Sequence, residues 1–182
     1  KVSSSGIALL KQQCLETVSF SGLDIEGALA AFLSKNRGLR YLDISNTNCS
    51  ASDLLALGRA VHLNTVLAAN IKGISRSFMS SLNGMKELKK LNLSGTALSE
   101  DILDKGPFLK NLCELEAANT EIGDRFMARL KDCAELQALD LSHTKISDKG
   151  LAYLSGLKSL SRLDLSACNL TEKAAGNISQ LT

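Results

Sequence analysis

Apolar residues recur along this chain in blocks of about two dozen. Leu15, Leu39, Leu63, Leu88, Leu112, Leu136 and Leu160 open seven blocks, with steps of 24, 24, 25, 24, 24 and 24 residues. Counted from each leucine, the fourth column is Val18, Leu42, Val66, Leu91, Leu115, Leu139 and Leu163. The sixth is Phe20, Ile44, Ala68, Leu93, Ala117, Leu141 and Leu165. Alternation of period two over the first seven positions predicts a short strand. Columns four and six then enter the core, and columns three, five and seven face outward. A fixed period of this length predicts a solenoid, in which each unit buries its apolar face only against its neighbours.

The second half of each block switches to helical spacing. Ser147 precedes Asp148, Leu151, Leu154 and Leu157, which reads as a cap followed by an apolar helix face. Thr171 and Ser50 stand in the same slot, and Ser50 with Asp53 makes a capping box with a shortened acid. Block three carries an insertion around Lys72–Gly73–Ile74. Block four contains Gly106–Pro107, which predicts that its helix ends after about one turn.

Residues 136–159, LQALDLSHTKISDKGLAYLSGLKS, give the cleanest copy. This copy resembles the leucine-rich repeat family, whose L-x-x-L-x-L-x-x-N/C-x-L core is a strand and turn followed by a helical return. The resemblance covers essentially the whole chain, in register seven times. It implies an α/β solenoid: a right-handed leucine-rich repeat horseshoe with a parallel concave sheet and a mixed helical convex side. The tract Thr144–Leu151 is similar to the ribonuclease-inhibitor-like and F-box-associated repeats. The ninth column departs from the family's Asn, reading Leu23, Thr47, Ile71, Thr96, Thr120, Thr144 and Cys168. A threonine ladder is expected from the middle onward, with turn backbone less uniformly satisfied in blocks one and three.

At 182 residues and 45% hydrophobic content, the chain is expected to form one domain, residues 1–182, that needs no disulfide staples. Both ends read as cut from a longer array. Residues 6–14 match the helical half of a preceding repeat through Ile7 and Leu10. Ile178 and Leu181 match Leu154 and Leu157 at the other end. A net charge of +2 gives no basis for nucleic-acid binding, and no apolar run approaches membrane-spanning length. The five cysteines, Cys14, Cys49, Cys113, Cys133 and Cys168, lack metal-ligand spacing and read mostly as buried free thiols. Four N-x-S/T sequons at Asn48, Asn92, Asn169 and Asn177 point instead toward secretion. Thiol usage is weighed above them, so a cytoplasmic location is expected, with an extracellular one as the alternative.

No phosphate loop, dinucleotide fingerprint, zinc motif or nucleophile elbow occurs. His62 and His143 stand in no spacing that suggests catalysis, so the segment is expected to be non-enzymatic, with no cofactor, metal or small-molecule substrate. The outward columns carry the candidate chemistry. Column five contains Asp43, Leu67, Glu116, Asp140 and Asp164; column three contains Tyr41, Lys90, Glu114 and Arg162. Seven strands about 4.8 Å apart make a face on the order of 30 Å wide, the scale of a protein partner. Arg40 and Tyr41, of types enriched at binding hot spots, stand near the outward Leu67, and Glu114, Glu116, Asp140 and Asp164 form an acidic sector. The expected function is a protein–protein interaction module: an adaptor, a ubiquitin-ligase substrate receptor or a host-directed effector. The alternative is the ligand-binding ectodomain of a cell-surface receptor.

Overall fold

The structure, a computed structural model, describes residues 6–7, 15–102, 106–174 and 176. Seven three-residue strands follow one another: β1 (Thr17–Ser19), β2 (Tyr41–Asp43), β3 (Thr65–Leu67), β4 (Lys90–Asn92), β5 (Glu114–Glu116), β6 (Ala138–Asp140) and β7 (Arg162–Asp164). They form one open parallel sheet in chain order. The register pairs each column with itself, so that Val18, Leu42, Val66, Leu91, Leu115, Leu139 and Leu163 lie in one row. Parallel pairing in sequence order requires a crossover after every strand, and the second half of each block supplies it. The expected α/β solenoid is what forms.

The crossovers carry short helices: α1 (Leu29–Lys35), α2 (Ala51–Ala56), α3 (Arg76–Ser81), α4 (Asp124–Leu130) and α5 (Asp148–Leu151). After α2, α3 and α5 the backbone tightens directly into 3-10 turns at Leu57–Arg59, Leu82–Gly84 and Ala152–Gly156. These turns keep Leu57, Leu82 and Leu154 buried while using less chain length per turn of contact. The capping box at Ser50 and Asp53 is present, and the Ser147 hydroxyl accepts from the Lys149 N–H. In block four, residues 103–105 lie outside the described residues, and Pro107 opens a short 3-10 helix, Pro107–Asn111, that buries Phe108 and Leu109. Proline suits a first helical position because its missing N–H would have no partner there. Among the described residues this repeat has no α-helix.

The core is a continuous stack between sheet and helices. Leu39, Leu63, Leu88, Leu112 and Leu136 are fully buried, as are Phe32, Phe78 and Phe126 from the helical side. Phe20 and Phe32 meet edge to face at 5.0 Å in the first repeat. Ile7 is buried against this stack. Leu10, Ile178, Leu181 and Cys14 lie outside the described residues.

One turn geometry recurs in every repeat. Gly22, Asn46, Asn70, Gly95, Asn119, His143 and Ala167 all adopt positive φ, and all stand in column eight. The left-handed residue swings the chain off the strand and aims its N–H at the next repeat. Asn46 donates to the Ala69 carbonyl at 2.8 Å and His143 to that of Ser166 at 2.8 Å. The threonine ladder lies just beyond. Hydroxyls of Thr47, Thr96, Thr120 and Thr144 donate to the carbonyls of Ile44, Leu93, Ala117 and Leu141 at 2.6–2.7 Å. In block one the Leu23 N–H serves the equivalent Phe20 carbonyl at 2.9 Å, so the expected deficit there is met by backbone. Ile71 simply joins the core.

Candidate interaction surface

Columns three and five project from the sheet face, and their side chains divide into two groups. The column-five acids first serve their own turns. Asp43, Asp140 and Asp164 each accept, through Oδ1, the N–H of the residue two positions on, at 2.8–2.9 Å. Asn92 does the same for Ser94 at 2.8 Å. Short acceptors that bond the backbone two residues ahead stabilise such turns. The acidic column is therefore built into the fold, and the second oxygen of Asp43 also accepts from the Ser19 hydroxyl at 3.0 Å.

The C-terminal half of the face is organised by ion pairs. Lys90 Nζ lies 2.9 Å from Glu114 and 3.0 Å from Glu116. Arg162 reaches Glu114 from the other side at 3.0 Å. Asn92 donates to the second oxygen of Glu116 at 2.5 Å. Partial burial alone would lower the Lys90 pKa, but the hydrogen bonds and charges of Glu114 and Glu116 outweigh it and raise the pKa. The Ser166 hydroxyl and N–H hold the Asp164 carboxyl below its usual range.

Between these groups the sheet dips. Ala138 occupies column three of β6, where β5 and β7 carry Glu114 and Arg162, and its small side chain leaves an open depression of about 280 Å³. Its walls are Glu116, Asp140, Asp164 and Arg162. The rim carries more negative than positive charge, since Glu114, Glu116, Asp140 and Asp164 face Lys90 and Arg162 alone.

The N-terminal spot is assembled differently from expectation. Arg40 is exposed but turns to the strand's entry edge, where it lies 3.5 Å from Glu87; His62 Nδ1 meets the same carboxylate at 3.0 Å. Leu67 is half-buried and not the exposed leucine its polar column suggested, because Asp43 and Asn92 flank it in register. Tyr41 is likewise half-buried and sits diagonally from it across β2 and β3. The structure thus joins Lys90, Glu114, Glu116 and Arg162 into one network beside Asp140 and Asp164. It leaves Tyr41, Asp43 and Leu67 as a separate patch and sends Arg40 elsewhere. Glu87 belongs to the surface without having been singled out by the sequence, whereas Asn92 and Ala138 join it from the outward columns.

A family model described as leucine-rich repeat matches residues 133–155, the stretch around β6 and α5. The six other blocks repeat the same strand in register on one parallel sheet. The fold is that of a leucine-rich repeat solenoid. Solved structures similar to this leucine-rich repeat array include two internalins of Listeria monocytogenes. The internalin inlF superposes with a TM-score of 0.78 at 21% identity, covering 98% of this chain and 48% of its own. The internalin inlC2 gives 0.75 at 19% identity, covering all of this chain and 73% of its own. The array therefore spans about half of the first. At such identity the likeness is one of fold. No curated protein matches the sequence.

Proposed function

We propose that this leucine-rich repeat array is a non-enzymatic module that binds a protein partner on its concave sheet face, with a basic partner segment seated over Ala138. The observation that carries the reading is the depression walled by Glu116, Asp140, Asp164 and Arg162. Its negative balance favours Lys or Arg side chains, and its openness suits a chain segment and not an enclosed small molecule. Tyr41 and Leu67 supply apolar contact four and three repeats from Ala138. This applies equally to an adaptor, a ligase substrate receptor or a host-directed effector. Neither histidine argues for catalysis: His62 pairs with Glu87, and His143 fills a left-handed turn.

The same reading places the protein in a reducing compartment. Burial pushes the Cys49 and Cys133 thiols up to about 11, which suits inert packing groups. Two sequon asparagines already use their side-chain amides: Asn48 donates to Asp24 at 2.8 Å and Asn92 to Glu116 at 2.5 Å. Glycosylation at either would replace one N–H of an amide that bonds between repeats and crowd that contact.

A phage-displayed library of random peptides, selected on the immobilised protein, tests the reading. Enrichment of Lys and Arg is expected, with binding lost in the Asp140→Lys, Asp164→Lys double variant and weakened in Tyr41→Ala. Selected peptides indifferent to Asp140, Asp164, Tyr41 and Leu67 substitutions would overturn it.

A further inference from the structure

Among the described residues, the α-helical layer opposite the sheet is interrupted at block four. Helix α1 packs on α2, α2 on α3, and α4 on α5. Between α3 and α4 the described chain supplies only the 3-10 helix Pro107–Asn111. This substitution leaves a groove of about 720 Å³ between that segment and α4. Pro107, Leu109 and Ala128 give it apolar surface, and Lys110, Arg125, Arg129 and Lys131 surround it, opposed by Asp132 alone.

Helix electrostatics explains part of this charge. Arg129 stands in the last turn of α4 and Lys131 at its C-cap, where cations complement the helix dipole. It does not explain Arg125, which stands in the first turn, where the dipole disfavours a cation. Arg125 has a distant partner in Glu100 at 3.8 Å and remains mostly exposed. Lys110 comes from a different element and converges on the same groove.

We infer that this convex groove is a second docking site, taking an acidic segment of a protein partner with an apolar side chain lodged against Pro107, Leu109 and Ala128. Four cations, one of them shared with Glu100, against the single carboxylate lining the groove select negative charge, and the apolar surface selects a peptide over a free anion. The site lies on the opposite side of the array from the depression over Ala138, so the two can be filled together. It does not depend on the reading proposed for the sheet face.

The probe is a fluorescein-labelled peptide of mixed Asp and Glu with two central leucines, followed by anisotropy on the whole chain at moderate salt. Saturable binding is expected, weakened at least tenfold by Lys110→Glu with Lys131→Glu, both exposed positions, and unaffected by Asp140→Lys with Asp164→Lys. The Lys86→Glu, Lys158→Glu variant carries the same charge change outside the groove and is expected to bind nearly as wild type. Circular dichroism verifies that each variant is folded. Equal losses in the two lysine pairs would reduce the effect to general electrostatics and overturn the site. So would equal binding of the peptide with its leucines replaced by serine. Groove-dependent binding to vesicles rich in phosphatidylserine, with none to the peptide, would overturn the protein partner in favour of a membrane surface.

Discussion

Arg162 spans a full repeat to meet Glu114, its guanidinium 3.0 Å from Oε1 and the short side chain of Ala138 lying between the two strands. The bond exists because column three of β6 is alanine; a longer side chain there would occupy the space the guanidinium crosses. Arg162 is largely exposed, so the pair is worth at most about 0.2–1 kcal/mol in stability. Arg162→Ala is therefore expected to leave the urea midpoint nearly unchanged. The same change removes a cation from the rim and leaves Glu114 paired with Lys90 alone, so a basic peptide is expected to bind several-fold tighter with a steeper salt dependence. Anisotropy titrations at two salt concentrations measure both, and weaker binding would contradict the electrostatic account of the depression.

Asp53 holds two repeats together. Its carboxylate is wholly buried and accepts from the N–H groups of Gly27, Leu29 and Ala30 at 2.7–3.3 Å, as well as from Ser50 within its own capping box. One acid thus satisfies the start of α1 and the start of α2. Asp53→Ala strands several buried donors, and a loss of about 3–5 kcal/mol is expected in equilibrium urea unfolding. Asp53→Asn keeps one acceptor oxygen and is expected to lose less. Hydrogen exchange should localise the damage to the first two repeats. A loss below about 1 kcal/mol in Asp53→Ala would show that water replaces the carboxylate.

The sheet was legible because its signal is periodic. One leucine per block and an alternating pair after it fix seven strands and their register with no reference to side-chain detail. The Ser50–Asp53 box was legible for the same local reason, but the reach of Asp53 into the preceding repeat was not, since nothing in the spacing marks it. The candidate surface was half legible. Columns locate Lys90, Glu114, Glu116 and Arg162 on one face, whereas their pairing depends on how far flexible side chains extend between strands. The pairing of Arg40 with Glu87 was not legible, because Glu87 precedes the strand and belongs to no outward column. Column eight hides from a search for apolar periodicity. Its members share a backbone conformation and not a polarity, although Gly and Asn at five of seven positions are the types that tolerate it.

Two carboxylates on the exposed C-terminal repeats should titrate low. The Thr171 hydroxyl and N–H lower the Asp148 pKa, and those of Ser166 lower that of Asp164. A folded pKa below the unfolded value, about 3.9, contributes stability that is present above that value. It is lost as pH falls through the folded pKa. Lys90 behaves oppositely: its raised pKa contributes below the unfolded value of about 10.4 and is lost as pH rises through the folded one. Carboxyl-carbon NMR titration of wild type and Thr171→Val checks the acid side, the variant being expected to return Asp148 toward the ordinary range. An unmoved Asp148 titration would remove Thr171 as the cause.

The left-handed column makes opposite predictions at two of its sites. Ala167 holds φ at +54° without the glycine freedom or asparagine side chain that eases this conformation elsewhere in the column. Its Cβ meets the following carbonyl, a cost of roughly 1–2 kcal/mol. Replacing Ala167 by Gly relieves the clash but adds freedom to the unfolded chain, so a net gain of about 0.5 kcal/mol is expected. Gly95 is the converse. It holds φ at +66°, and a Cβ there would lie 1.9 Å from Asn70 Oδ1, inside any permissible contact. Asn70 is itself tied to Asn46 by a 3.0 Å bond between their amides, so moving aside breaks the link between repeats two and three. Gly95→Ala is therefore expected to cost more than the conformational penalty alone, about 2–3 kcal/mol. Paired urea titrations give the comparison. Equal and small effects at both positions would mean that the turn relaxes out of the left-handed region and that column eight does not set the crossover.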